Sequence, residues 1–258
     1  MSVARNKTLY AILLLVFVAV PIANYIPFIG GGERAETRFD DDPEVYVAAA
    51  DYAFSIWGVI FLGMLAFSWG IFRNKEVAPT KALHKAITYL IVAGLASIAF
   101  VPISFTNNQT WGWLDILVHL IALIAAVKAL REHVEQQPQD GGWRWTYFAP
   151  SVYLGWISAA YVISTSLMVI ELGASDIPER IQQTGAMFLL AVLFFIGRWL
   201  ISKEDVFYGL TVIWALIAVG VKQPDPPGLR WITWGAAATL GILILARILG
   251  KQKLFYAR

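Results

Sequence analysis

An aspartate and a histidine lie one helical turn apart in an otherwise apolar stretch, "WGWLDILVHLIAL" (residues 111–123). Asp115 and His119 are four positions apart, so on a helix they share a face. A carboxylate beside an imidazole can stabilise the protonated ring or hold one neutral tautomer. The pair could therefore form a proton-coupled site or a polar anchor for a ligand. The alternative is an interfacial Asp115 bonded to loop backbone, with His119 bonded to a neighbouring helix.

Aromatic residues at helical spacing form a second group of candidates. In "ADYAFSIWGVIFLGML" (50–65) and the residues that follow, one helical stripe contains Phe54, Trp57, Phe61, Met64 and Ser68. In "YFAPSVYLGWISAAYVISTSL" (147–167), a second stripe contains Tyr153, Trp156, Ala160, Ser164 and Leu167, with Tyr161 beside it. Each stripe could be ordinary helix packing or the wall of a pocket.

The depth of these residues favours a pocket. At about 1.5 Å per residue, Trp57 and Asp115 lie about one to two turns below the predicted outer ends of their helices. Tyr161 and Ser164 lie at a similar depth in their own helix. Aromatic faces and a few polar groups at one level are what a site for a flat apolar ligand requires.

The composition places these helices in a membrane. Of the 258 residues, 58% are hydrophobic and 15% are charged, and the mean hydropathy is +0.62. A membrane span needs about 20 apolar residues. Eight stretches qualify, near 9–29, 53–72, 85–105, 111–130, 147–170, 184–201, 206–221 and 231–249. The sequence therefore predicts an all-α, multi-pass membrane helix bundle, with the seventh span the shortest.

The distribution of lysine and arginine predicts the orientation. If the spans alternate in direction, fifteen of the 20 basic residues fall on one side and five on the other. Because cytoplasmic loops carry the excess of Lys and Arg, we expect both termini in the cytoplasm. The first span could instead be a secretory signal, but its apolar run is long and no small-x-small site follows.

Several classes of protein are disfavoured by what the sequence lacks. It has no cysteine, three scattered histidines and a net charge of only +2, which argue against disulfides, a metal cluster and a nucleic-acid partner. No GxSxG, HExxH or phosphate-binding glycine loop is present. We therefore expect a protein that is not an enzyme and requires no cofactor.

A long loop follows the first span, at about residues 30–52. It begins with the acidic, glycine-rich stretch "GGGERAETRFDDDPEVY". Loops of this length are often functional or disordered. The loop could be a solvated linker, or a lid over the outer mouth of the bundle.

Three of these stretches resemble the TspO/MBR family of tryptophan-rich sensory and translocator proteins. The first, "ADYAFSIWGVIFLGML", resembles the family's second helix, "WGWLDILVHLIALIAAVKAL" its fourth and "SVYLGWISAAYVIS" its fifth. The matching residues are Phe54, Trp57, Phe61, Asp115, Tyr153 and Trp156.

The sequence also departs from the family pattern. Ala50 and Asp51 stand where the family has two prolines, and Phe61 stands where it has a tyrosine. Val152 and Ser164 replace a proline and an asparagine, and the third helix lacks the family's Asn and Trp pattern. Since polar groups are lost from the expected pocket, the resemblance does not specify the ligand.

The resemblance covers about residues 1–172 and implies a five-helix domain. Residues 173–258 add three further spans, as in the longer, eight-span branch. The resemblance also implies a homodimer and a pocket, beneath the first loop, for porphyrins and other flat apolar ligands. The residues expected to bind the ligand are Phe54, Trp57, Phe61, Asp115, His119, Tyr153, Trp156, Tyr161 and Ser164.

The leading hypothesis is therefore a membrane protein that binds, and either senses or transports, a planar apolar ligand such as a tetrapyrrole. A second hypothesis is a proton-coupled transporter that uses Asp115 and His119, although no inverted repeat is visible. A third is an assembly partner of a larger membrane complex, docked through the three extra spans.

Overall fold

The computed structural model describes residues 4, 6–29, 45–75, 77–106, 108–136, 147–173, 177–223 and 227–253. Within these ranges the chain forms helices and no strand. The helices are α1 Lys7–Ile29, α2 Ile56–Arg73, α3 Lys81–Ser104, α4 Gln109–Gln136, α5 Phe148–Glu171, α6 Glu179–Ser202, α7 Val206–Lys222 and α8 Pro227–Leu249, with a 3-10 turn at Asp51–Ser55 before α2. The predicted all-α architecture is confirmed, and each predicted span corresponds to one helix.

Local sequence explains where several helices begin. Asn6 accepts a hydrogen bond from the Leu9 N–H at 3.0 Å, and Asn108 accepts one from the Trp111 N–H at 3.1 Å. Thr80 caps α3 in the same way, through the Leu83 N–H at 3.0 Å. Such side chains satisfy N–H groups that have no partner inside the helix.

Seven helices of the described chain are long and apolar enough to cross a membrane, and α7 is apolar but has only 17 residues. The ends of α7 nevertheless lie at opposite ends of the bundle. Beside its start, Asp205 binds Arg131 near the end of α4. Just after its other end, Gln223 binds the backbone of Val45, ahead of α2. At about 1.5 Å per residue, α7 is about 26 Å long.

The first five helices form a closed ring. Each packs against two others, in the order α1, α2, α5, α4, α3 and back to α1. Glycines allow close approach: a Cβ on Gly63 of α2 would lie 2.8 Å from the Cβ of Ala149 in α5, and one on Gly94 of α3 would collide with Val16 of α1. Small residues at such contacts are typical of membrane helix pairs.

The last three helices pack on one another and against the α5 side of the ring. A close contact joins α7 to α5, where a Cβ on Gly155 would lie 2.8 Å from the Cβ of Thr211. Because α5 is packed by both the ring and α7, its side chains are among the most buried in the protein.

The two ends of the bundle differ in charge. The starts of α1, α3, α5 and α7 define one end, here called the basic end, and the starts of α2, α4, α6 and α8 define the other, the loop end. Of the fifteen Lys and Arg residues within the described ranges, twelve belong to the basic end. The fold thus groups the basic residues as the sequence predicted, and the cytoplasmic location of that end stays a prediction.

Most of the loop predicted at 30–52 lies outside the described residues, which resume at Val45. Residues 45–49 are buried rather than exposed. The possible lid over the bundle can therefore be discussed only for the last part of the loop, from Val45 onward.

Candidate aromatic and polar site inside the ring

Five predicted residues from α2, the 3-10 turn and α5 form one aromatic cluster: Phe54, Trp57, Phe61, Tyr153 and Trp156. Trp57 meets Tyr153 and Trp156 edge to face, with ring centroids 5.8 and 6.4 Å apart, and stacks on Phe61 at 5.3 Å. Phe54 packs edge to face on Trp156 at 5.5 Å. These are the geometries that aromatic pairs prefer.

The two halves of the cluster differ in burial. Tyr153 and Trp156 on α5 are 0% and 2% exposed. Phe54, Trp57 and Phe61 are only partly buried and pack against the core. A ligand could therefore reach the rings of α2 and the 3-10 turn more readily than those of α5.

Trp156 also borders the last three helices. It helps line a narrow apolar cleft between residues 47–49, α5, α6 and α7. Its neighbours in the cleft include Val47, Ala159, Leu190 and Leu216. Trp156 is thus a member of the aromatic cluster that also contacts the side of the C-terminal helices.

The predicted polar pair lies beside the cluster. His119 is 2% exposed, its Nε2 is hydrogen-bonded to the Tyr153 hydroxyl, and the two rings meet edge to face at 4.9 Å. His119 therefore bonds a neighbouring helix, which is what the simpler interpretation expected of it. Asp115 lies one turn away, and its Oδ2 is buried without a hydrogen-bond partner in the described structure. A buried acceptor left without a partner is uncommon.

Sequence reasoning missed two members of this polar group. The Asn24 amide of α1 donates to the Val20 carbonyl at 2.9 Å and lies 3.5 Å from the Ser97 hydroxyl of α3. The Ser97 side chain in turn lies near that of Tyr153. Together with His119, these side chains form a polar chain across the ring, from α1 through α3 and α5 to α4. The only indication of them in the sequence was a single Asn in the apolar helix α1 and a Ser in the apolar helix α3, each in the half nearer the loop end.

Two predicted residues lie away from the aromatic cluster. Tyr161 packs against Trp113 of α4 at 5.8 Å, and the Trp113 indole N–H donates to Thr165 at 3.1 Å. Ser164 is buried, one turn beyond Tyr161. Both lie two turns or more beyond Tyr153, nearer the loop end. The sequence predicted that Trp57 would lie level with Tyr161 and Ser164, but it meets an earlier part of α5. The reason is that α2 begins only at Ile56, so Trp57 lies in its first turn, and that turn packs beside Tyr153 and Trp156 rather than beside the end of α5.

The remaining stripe residues of α2 have a packing role. Met64 and Ser68 are both 0% exposed, and the Ser68 hydroxyl donates to the Met64 carbonyl at 2.7 Å. The α2 stripe therefore serves two purposes, with aromatic rings near the loop end and core packing toward the basic end.

Chemically, the arrangement offers aromatic faces for stacking and a small set of polar atoms at one side. The polar atoms are a carboxylate acceptor, an imidazole and a hydroxyl, contributed by Asp115, His119 and Tyr153. Such a site suits a flat, mainly apolar molecule with one or a few hydrogen-bonding groups.

A family model described as TSPO-like protein matches residues 7–248 of the chain. The match includes the three C-terminal helices as well as the five that carry the aromatic and polar residues. No curated protein and no solved structure matches the sequence significantly. Because the family model spans nearly the whole chain, this integral membrane protein belongs to the TSPO-like protein family.

Proposed function

We propose that the protein is a non-enzymatic membrane protein that binds a planar apolar ligand, such as a porphyrin, at the aromatic cluster. The observation that carries this proposal is the convergence of Trp57, Tyr153 and Trp156 beside the His119–Tyr153 pair. Membership of the TSPO-like family supports a role of this class.

In this proposal the rings of α2 provide the stacking surface. Aromatic pairs contribute about 0.5–1.5 kcal/mol each beyond the burial of their area. Trp57 and Phe61 are partly exposed, whereas Trp156 is buried and packs edge to face against Phe54. A ligand that stacks on Trp57 and displaces Phe54 would gain the face of Trp156 as well.

Asp115 supplies the polar contact. Its Oδ2 has no hydrogen-bond partner in the part of the chain that the structure describes, and a buried unpaired acceptor costs about 1–3 kcal/mol. A ligand N–H, such as that of a pyrrole ring, would remove this cost by donating to the carboxylate. The proposal therefore favours ligands that present a donor at this position over ligands that present only acceptors.

The test is a titration of the detergent-purified protein with protoporphyrin IX, followed by the porphyrin's absorbance shift and by quenching of tryptophan fluorescence. Trp57→Leu and Asp115→Asn are compared with Trp231→Leu, which alters a tryptophan on α8 that is 64% exposed. We expect saturable binding that weakens about tenfold in Trp57→Leu and is unchanged in Trp231→Leu. Equal binding by wild type and Trp57→Leu would refute this site.

A second candidate function is proton-coupled transport. It is favoured by the Asp115 carboxylate, whose Oδ2 has no hydrogen-bond partner among the described residues, next to the polar chain that runs from Asn24 through Ser97 and Tyr153 to His119. In proteoliposomes, porphyrin movement would then follow an imposed pH gradient and stop in Asp115→Asn. Binding without movement under either direction of the gradient would leave ligand binding alone as the function.

A further inference from the structure

The end of the long first loop is buried, although loops usually run over the surface. Val45, Tyr46, Val47, Ala48 and Ala49 are all at most 9% exposed. Residues 45–55, here called the entry segment, join this buried stretch to the 3-10 turn that contains Phe54. The segment therefore leads directly into the aromatic cluster.

Side chains of the C-terminal helices bind the start of the entry segment. The Tyr46 hydroxyl donates to Glu179 Oε1, in the first turn of α6, at 2.8 Å. The Gln223 amide, at the end of α7, donates to the Val45 carbonyl at 2.9 Å. Glu179 is itself fixed by Gln183, whose amide donates to the same oxygen at 2.8 Å.

The rest of the segment is bound along α7. The Ala50 N–H donates to the Ala218 carbonyl at 3.1 Å, and the Trp214 indole N–H donates to the Ala53 carbonyl at 3.0 Å. The Trp214 ring also meets Tyr52 edge to face at 5.2 Å. Four hydrogen bonds from α6 and α7 thus span the segment from Val45 to Ala53, the residue before Phe54.

We propose that α6 and α7 form a clasp that holds the entry segment in place and so controls how fast ligand enters and leaves the aromatic cluster. The control of ligand exchange rests on the proposed function. Phe54 packs edge to face against Trp156, so a ligand that takes its place against this ring must move Phe54, and the clasp resists that movement. In this proposal the three C-terminal helices regulate the site formed by the five-helix ring.

The test removes two clasp donors without removing their side-chain bulk, in the double variant Tyr46→Phe with Gln223→Leu. The matched control is Tyr89→Phe with Gln182→Leu. Tyr89 is an exposed residue of α3, and the side-chain amide of Gln182 on α6 donates to the Ile177 carbonyl, outside the entry segment.

The first measurement is hydrogen–deuterium exchange of peptides that cover residues 45–55 in the ligand-free protein. Loss of two hydrogen bonds is expected to speed their exchange about fivefold or more, with no change in the control. Exchange at the wild-type rate in the clasp variant would overturn the proposal, since the side-chain bonds from α6 and from the end of α7 would then not hold the segment in place.

The second measurement is the rate of protoporphyrin IX dissociation by stopped-flow fluorescence. We expect dissociation from the clasp variant to be about fivefold faster than from wild type and control. Faster segment exchange with an unchanged dissociation rate would refute control of the site by the clasp. If wild type bound no porphyrin, the proposed function would fail, while faster segment exchange would still support the clasp itself.

Discussion

Replacement of Asp205 tests how the C-terminal helices are joined to the ring at the basic end. Asp205 is 0% exposed and accepts hydrogen bonds from Arg131 at 2.9 Å, Ser151 at 3.1 Å and the Tyr208 N–H at 3.1 Å. Arg131 and Ser151 belong to α4 and α5, whereas Asp205 caps α7. The carboxylate therefore connects two ring helices to the C-terminal unit.

The expected loss of stability is smaller when Asp205 is replaced by asparagine than when it is replaced by alanine. Asp205→Asn keeps the helix cap and loses the charge-assisted bond to Arg131, whose side chain is 21% exposed. Burial raises the pKa of Asp205 and Arg131 opposes that shift only in part, so removal of the charge also relieves a desolvation cost. We expect Asp205→Asn to lower the free energy of unfolding by about 1–2 kcal/mol. This is less than the roughly 3–5 kcal/mol lost when one partner of a fully buried ion pair is removed.

Asp205→Ala additionally loses the cap, worth about 1 kcal/mol, and the Ser151 bond, worth about 1 kcal/mol. The total loss in the free energy of unfolding is about 3–4 kcal/mol. Since each kcal/mol lowers the Tm by about 2–4 °C, Asp205→Ala should lower the Tm by roughly 6–16 °C. Asp205→Asn lowers it by roughly 2–8 °C.

The assay is thermal unfolding in detergent, with the exposed Asp51→Asn as the control. Two results would refute the reasoning. One is an Asp205→Asn protein at least as stable as wild type, since the ion pair would then contribute nothing. The other is equal stability of the Asn and Ala variants, which would exclude the cap and the Ser151 bond.

Three further predictions concern packing, capping and orientation. Gly155→Ala places a methyl group against α7 and should cost about 1–3 kcal/mol in thermal unfolding, whereas Gly235→Ala, with open space around it, should cost nothing. Thr80→Val removes the cap of α3 and should lower stability by about 1 kcal/mol or more, measured in the same way. Since the chain has no cysteine, single cysteines can report orientation: Lys222→Cys should react with an impermeant maleimide on intact cells, and Lys7→Cys only after permeabilisation. The reverse pattern would place the basic end outside.

The sequence by itself determined the helices and the grouping of charge. Apolar length, caps such as Asn6 and Thr80, and breaker-rich connections are local properties, so all eight helices could be predicted without knowledge of their neighbours. The separation of basic residues into two groups followed from alternation of the spans. The aromatic stripe of α2 was also visible, because helical spacing alone puts Trp57 and Phe61 on one face.

The tertiary structure decided which helices are neighbours and how far each is shifted along its axis. Trp57 meets Tyr153 and Trp156, while Tyr161 pairs with Trp113 nearer the loop end. This offset follows from where α2 begins, beside Trp156 in the first half of α5, and from the entry segment before it, which α6 and α7 bind. A contact of this kind joins residues more than a hundred positions apart, such as Tyr46 and Glu179, and no local pattern encodes it.

The same holds for the polar chain inside the ring. Asp115 and His119 could be paired from their spacing, but Asn24 and Ser97 are single polar residues in apolar helices, and many such residues only bond their own backbone. Their role follows from the order of helices in the ring, which brings α1, α3, α5 and α4 together around Tyr153. Helix order is set by packing between whole faces, and therefore only the folded protein shows that these residues lie together.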